Sequence, residues 1–209
     1  MEPSVKIVGT GPGDGRYITP LAWDLIRNAQ VLVGGRRQLA SLASAHQEQF
    51  VIGQDLPAVL EYIELQRQLK SVVVLASGDP GLYSIADYLA QRMDKDCLEF
   101  IPGISSIQLM FARLKMPWQD VQIISLHGRA SHDLDRLLEK RGITALLTGG
   151  QWTPQYIAAY LAQANGPDCK VAIGKDLSYP EEKIICCTLN ELVNQQEDYS
   201  NCVMVIFNE

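Results

Sequence analysis

The chain has 209 residues, 47% hydrophobic and 20% charged, enough to bury the core of one large or two small soluble domains. Its net charge of -6 argues against nonspecific nucleic-acid binding, leaving room for a local basic patch. No apolar run approaches the roughly 18 residues that span a membrane, and the acidic, polar start is unlike a signal peptide, so a reduced cytoplasmic setting is expected.

In chain order, apolar β-rich runs recur at 4–8, 30–33, 49–52, 71–76 and 98–101. Helical patterns lie between them. Thr19-Pro20 reads as an N-cap with Pro at the first helical position, and Leu21, Ala22, Leu25 and Ile26 form an apolar face behind it. Asp55 opens a second helix carrying Val59, Leu60, Ile63 and Leu69. Ile85, Ala86, Leu89 and Met93 make the inner stripe of a third. Such alternation predicts a mostly parallel sheet with helices on both faces. Pro117 ends a further helix and suggests a boundary, giving domains 1–114 and 115–209. Beyond it, strands are predicted at 121–125, 143–148, 169–174, 183–187 and 202–207, with helices at 132–140, 153–164 and 189–195. Short connections between the last strands, and a turn at Tyr179-Pro180-Glu181-Glu182, favour a mixed second sheet. The fold class is therefore α/β, in two α/β domains.

Cys97, Cys169, Cys186, Cys187 and Cys202 contain no C-x-x-C pair, so no metal site is indicated and small buried hydrophobes in strands are expected. The chemistry concentrates in loops after strands. The first is Gly9-Thr10-Gly11-Pro12-Gly13-Asp14. A dinucleotide fingerprint needs a third glycine where Asp14 stands, and a later acid that the strand ending Val33-Gly34-Gly35 lacks. Pro12 has no N–H for a phosphate, Asp14 would repel one, and no P-loop motif occurs. A ligand other than a polyphosphate fits these residues, as does a tight strand-to-helix turn without a ligand. The second loop is Ser77-Gly78-Asp79-Pro80-Gly81. The third, Pro102-Gly103-Ile104-Ser105-Ser106, offers N–H and O–H donors at a helix start, or is simply a capped helix.

Taken together, the three ordered loops resemble the tetrapyrrole methylase family of class III S-adenosylmethionine-dependent methyltransferases. Gly9 to Asp14 matches its opening motif, Ser77-Gly78-Asp79-Pro80 its G-D-P motif, and Pro102 to Ser106 its P-G-[IV]-[ST]-[SA] loop. The resemblance covers the whole chain. Val33-Gly34-Gly35-Arg36-Arg37-Gln38-Leu39 and Ser125-Leu126-His127-Gly128-Arg129 are similar to the cobalamin-pathway C5-methyltransferase subtype, whose substrate is precorrin-6Y or cobalt-precorrin-7. The fused C15-methylating, decarboxylating partner of some relatives is not in this sequence. Gly15 departs from the family's usual Pro, and Leu147-Thr148-Gly149-Gly150 from the Met-Gly of siroheme-type relatives.

The resemblance implies a cofactor, S-adenosyl-L-methionine with S-adenosyl-L-homocysteine as product, folded in a cleft between the domains. It implies that Pro12 lines the pocket, that Gly78 and Asp79 meet the amino-acid or ribose end with Leu82 packing nearby, and that Ser77 binds the cofactor. Ser105 and Ser106 would hydrogen-bond the cofactor, and Thr148, Leu177 and Ser178 approach the adenine side. The substrate is a macrocycle with several carboxylates, which arginine forks suit; Arg16, Arg36, Arg37 and Arg129 are the candidates. His127 is the candidate base, or orients a carboxylate, because histidine titrates near neutrality. Tyr17 and Tyr83 are weaker candidates, with aromatic packing as the ordinary role. A homodimer and a functional C15-methyltransferase/decarboxylase partner are implied; a nucleic-acid or membrane partner is not. The alternatives are a same-fold enzyme of the diphthine synthase type and a noncatalytic tetrapyrrole-binding module.

Overall fold

Turn chemistry and apolar runs generate the elements of the computed structural model, which describes residues 4–126, 134, 141–164 and 166–208. By its contacts the chain divides into Met1–Ser105 and Ser106–Glu209.

The first unit holds β1 (Val5–Gly9), β2 (Val31–Gly34), β3 (Glu48–Val51), β4 (Val72–Ala76) and β5 (Leu98–Ile101), all parallel, in the order β3-β2-β4-β1-β5. The crossovers are α1 (Pro20–Asn28), α2 (Arg36–Leu42), α3 (Leu56–Gln66) and α4 (Ile85–Ala90). Thr19 caps α1 by accepting from the Ala22 N–H at 3.2 Å, and Asp55 caps α3 through Ala58 at 3.0 Å. One face of the sheet packs Val8, Leu32, Val73 and Leu75 against Ala22 and Ile26 of α1 and Leu39 of α2. The other packs Ile7, Val33 and Val74 against Val59 and Ile63 of α3 and Ala86 and Leu89 of α4. Helices therefore lie on both faces, as the alternation predicts. Neighbouring strands β1 and β4 send their chains to helices on opposite faces, which makes their C-terminal ends a topological switch point.

Four local expectations change. Residues 36–42 form α2, which the apolar pattern did not announce. Leu69 lies beyond α3 and is 83% exposed, because the helix stops at Gln66. Leu21 faces solvent at the first turn of α1, leaving Ala22 and Ile26 as its buried stripe. Cys97 and Cys169 are buried, but Cys186 is exposed on an edge strand.

The second unit carries β6 (Gln122–Ser125), β7 (Gly142–Leu147), β8 (Lys170–Lys175), β9 (Lys183–Thr188) and β10 (Cys202–Asn208), ordered β6-β7-β10-β8-β9. Only β6 and β7 run parallel; the other pairs are antiparallel, so the sheet is mixed. The helices whose bounds are described are α5 (Ser106–Leu114), α6 (Pro154–Gln163) and α7 (Leu189–Val193). Ile157, Ala158 and Leu161 of α6, with Leu189 and Leu192 of α7, pack on Leu146, Val171, Ile173, Met204 and Ile206. The helix expected at 132–140 lies outside the described residues apart from Leu134, which is helical and buried. The division after Ser105 precedes the boundary expected at 114/115. Helix α5 groups with the second unit, where a side chain added at Gly174 would meet Met110.

Candidate functional site

In the first unit the three glycine-containing loops are clasped together at the switch point. Gly11 and Gly78 exchange backbone hydrogen bonds, Gly78 N to Gly11 O at 2.9 Å and Gly11 N to Gly78 O at 3.3 Å. Gly78 sits at φ 68°, a conformation in which an L side chain is strained. Its loop meets the third loop through Asp79, whose Oδ1 accepts from Gly81 N at 2.8 Å and Oδ2 from Gly103 N at 3.0 Å. Gly103 lies against Gly9 and the Gly78 carbonyl so closely that a Cβ there would fall on that oxygen. The glycines permit this backbone contact, and Asp79 closes it.

The expected cofactor residues of this unit take distinct positions. Pro12 is half-buried in the first loop, Ser77 is exposed at the end of β4, and Gly78 is buried. Leu82 is half-buried, its N–H donating to Asp79 O at 3.1 Å. Ser105 is buried beside Gly78, its Cα 3.3 Å from where a Gly78 Cβ would stand. Ser106 begins α5. The loops bring Pro12, Ser77, Gly78, Asp79 and Ser105 to one edge of the sheet.

The arginines divide. Asp14 Oδ1 accepts from the Arg16 N–H at 2.8 Å, and its Oδ2 accepts from Arg16 Nε at 2.9 Å. This side-chain hydrogen bond, more than any other influence, holds the Asp14 carboxyl below its ordinary range. Arg16 is thus paired within the loop while its side chain remains 84% exposed. Arg36 and Arg37 stand exposed on the first turn of α2, just after the end of β2. Tyr83 is exposed, with left-handed backbone at φ 49°. His127 and Arg129 lie outside the described residues.

Two residues of this edge were not singled out from sequence. Gln38 Oε1 accepts from Gly35 N at 3.0 Å, and its Nε2 donates to Thr10 Oγ1 at 2.8 Å. The Thr10 hydroxyl donates to Ala76 O at 3.0 Å. This chain ties the ends of β2, β1 and β4. A glutamine three residues after Gly35, the position of a helix-capping partner, is the sequence signal that marks it.

In the second unit, Thr148, Leu177 and Ser178 are all buried at one end of the sheet, where β7 and β8 finish and β10 begins. Thr148 Oγ1 donates to Cys202 O at 2.8 Å and lies 3.0 Å from Cys202 Sγ. Burial pushes the Cys202 thiol up to about 11, so it remains protonated. The 176–178 turn has left-handed backbone at two non-glycine residues, Asp176 (φ 47°) and Ser178 (φ 75°).

Backbone donors and acceptors dominate the first-unit edge. No group of three metal-ligating side chains occurs among the described residues. A Cβ at Gly9 or Gly103 would collide with backbone of the neighbouring loop, so the three loops meet through backbone rather than bulky side chains. With Pro12 lacking an N–H and the Asp14 carboxylate beside it, this edge suits a polyphosphate poorly and is compatible with a ligand that carries no phosphate.

The family model described as Tetrapyrrole (Corrin/Porphyrin) Methylases matches residues 4–193. The cobalt-precorrin-7 C(5)-methyltransferase of Salmonella typhimurium is 32% identical over 205 residues, covering 98% of this chain and 99% of that protein. The probable cobalt-precorrin-7 C(5)-methyltransferase of Methanocaldococcus jannaschii is 31% identical over 202 residues, covering 93% and 94%. A solved uroporphyrin-III C-methyl transferase from Thermus thermophilus, complexed with S-adenyl homocysteine, has the same fold. Its TM-score is 0.78 at 21% identity, over 98% of this chain and 97% of that one.

Proposed function

The chain belongs to the tetrapyrrole (corrin/porphyrin) methylase family, and on that footing we propose that it methylates C5 of a corrin precursor in cobalamin biosynthesis. The methyl donor in this reading is S-adenosyl-L-methionine. The observation that carries it is full-length similarity, at 32% identity, to a cobalt-precorrin-7 C(5)-methyltransferase, joined to the intact three-loop edge.

When bound, the cofactor supplies an electrophilic sulfonium methyl that needs no further activation. The protein's part is to hold the ring carbon in line with that methyl and keep water away. We assign Gly78 and Asp79 to the amino-acid or ribose end, with Pro12 lining the pocket, Leu82 packing nearby and Ser77, Ser105 and Ser106 binding the cofactor, and Thr148, Leu177 and Ser178 to the adenine side. Arg36 and Arg37 take substrate carboxylates as forks. Arg16, paired with Asp14 on an exposed side chain, and Arg129 are assigned as two further forks. His127 accepts the ring proton or orients a carboxylate. A homodimer, and a separate C15-methyltransferase/decarboxylase as functional partner, belong to the same reading.

Thermal denaturation with S-adenosylhomocysteine tests the cofactor half. At a hundredfold excess over Kd, a ligand bound only by the native state stabilises by about 2.7 kcal/mol, which raises Tm by several degrees. An unchanged Tm at saturating ligand contradicts the proposal.

A further inference from the structure

The turn 176–178 is held in its left-handed form from both ends. At one end, Asp176 N donates to Asn201 O at 2.9 Å, and Asp176 Oδ1 accepts from Asn201 Nδ2 at 2.9 Å. At the other, the buried Ser178 N–H donates to Glu182 Oε2 at 2.7 Å. Glu182 is itself gripped by both arms of Arg113, through Nε to Oε1 and through Nη2 to Oε2 at 3.2 Å. Residue 113 lies in the last turn of α5 and residue 182 precedes β9, so the pair joins two elements distant in sequence at one turn.

An exposed ion pair contributes little to stability on its own. Here the Arg113 side chain is 37% exposed, so global stability is a weak reason for the arrangement. What the carboxylate does locally is specific. It accepts the N–H of a residue whose backbone sits where non-glycine residues are uncommon, and such outliers concentrate at ligand sites. A bidentate arginine fixes the carboxylate plane, and so the direction of that hydrogen bond.

We propose that Glu182, oriented by Arg113, is a positioning residue for the methyl donor. It locks the 176–178 turn so that Leu177 and Ser178 present a preformed wall to the adenine. This rests on the proposed function, in which the turn meets the cofactor. The role is distinct from catalysis, since neither side chain needs to touch the reacting atoms. Losing it raises the KM for S-adenosylmethionine while leaving kcat at saturating donor and the KM for the corrin unchanged.

The test measures S-adenosylhomocysteine affinity by calorimetry and steady-state constants for wild type, Glu182→Ala, Glu182→Gln and Arg113→Met, each with its Tm. Glutamine keeps an oxygen for the Ser178 N–H. The expected result is a loss of tenfold or more in affinity for Glu182→Ala, recovery to within about threefold for Glu182→Gln, and an intermediate value for Arg113→Met. Affinity within twofold of wild type in folded Glu182→Ala overturns the proposal, even if its Tm falls. If that variant does not fold, Arg113→Met decides by the same criterion. Amide exchange of the wild type separates the two readings. Ligand protection at 176–179 with unchanged variant affinity defeats only the positioning role. Ligand binding without that protection defeats the placement of the cofactor on this turn, and the positioning role with it.

Discussion

The side-chain amide of Gln38 donates to the hydroxyl of Thr10 at 2.8 Å, across 28 residues of sequence. Because Thr10 donates onward to the Ala76 carbonyl, α2 is registered on the ends of β1 and β4. Arg36 and Arg37 ride on the first turn of that helix, so the link also sets where these guanidinium groups, proposed as forks for substrate carboxylates, stand relative to the first loop.

Cutting the link costs stability modestly and substrate binding more. Thr10→Val keeps the shape, and Ala76 O retains the Thr10 N–H at 2.8 Å. The lost hydrogen bonds amount to about 1–2 kcal/mol. Chemical denaturation of Thr10→Val and Gln38→Met checks this, with Thr10→Ser near wild type. Kinetics of Gln38→Met are expected to show a raised KM for the corrin with little change in S-adenosylhomocysteine affinity.

The clasp at Gly103 predicts a sharper effect. Gly103→Ala drives a methyl into the Gly78 carbonyl, and such overpacking costs about 1–3 kcal/mol. Gly53→Ala is the control, since nothing lies within 4 Å of where its Cβ would stand. Asp79→Ala removes the acceptor of two backbone N–H groups and is expected to cost about 1–3 kcal/mol. Urea titrations rank the three. Equal midpoints for Gly53→Ala and Gly103→Ala would refute the close packing.

The cysteines separate by environment. Cys186 is exposed, whereas burial pushes the Cys202 thiol up to about 11 from an ordinary 9.0. In the native protein a thiol reagent at neutral pH should modify Cys186 first, and Cys202 only on unfolding. A raised folded pKa means that the folded state binds more protons. Its stabilising contribution is whole below the unfolded value near 9 and is lost as pH rises toward 11. Cys202→Ala should therefore show a shallower loss of stability over that alkaline window.

Glu182 behaves oppositely. The Arg113 hydrogen bond, outweighing partial burial, holds its carboxyl below the ordinary 4.5. Its contribution is present above the unfolded value and is lost as pH falls through the lowered folded value. Arg113→Met raises that folded value, so the acid-unfolding midpoint should move to higher pH. With Arg113 partly exposed, the change near neutrality should be about 1 kcal/mol or less.

The parts of this fold that local chemistry writes were legible in the sequence. Thr19-Pro20 and Asp55 begin helices because their side chains cap N–H groups, and the glycine-proline loops end strands where the structure ends them. Helix α2 was not legible: it has seven residues, opens with two arginines and buries only Leu39. Leu69 misled because its helical spacing continues past the point where α3 ends. The three loops stood out from the sequence, but their mutual clasp, Asp79 to Gly103, did not. Arg113 and Glu182 lie 69 residues apart, and no local pattern joins them.

Methyl transfer to C5 is tested by following an isotope-labelled methyl. The protein is incubated with labelled S-adenosylmethionine and cobalt-precorrin-7, and the corrinoid product is located by NMR. One labelled methyl is expected, on C5, formed in proportion to S-adenosylhomocysteine released. Label on another carbon, or cofactor binding with no label in the corrinoid, would contradict it.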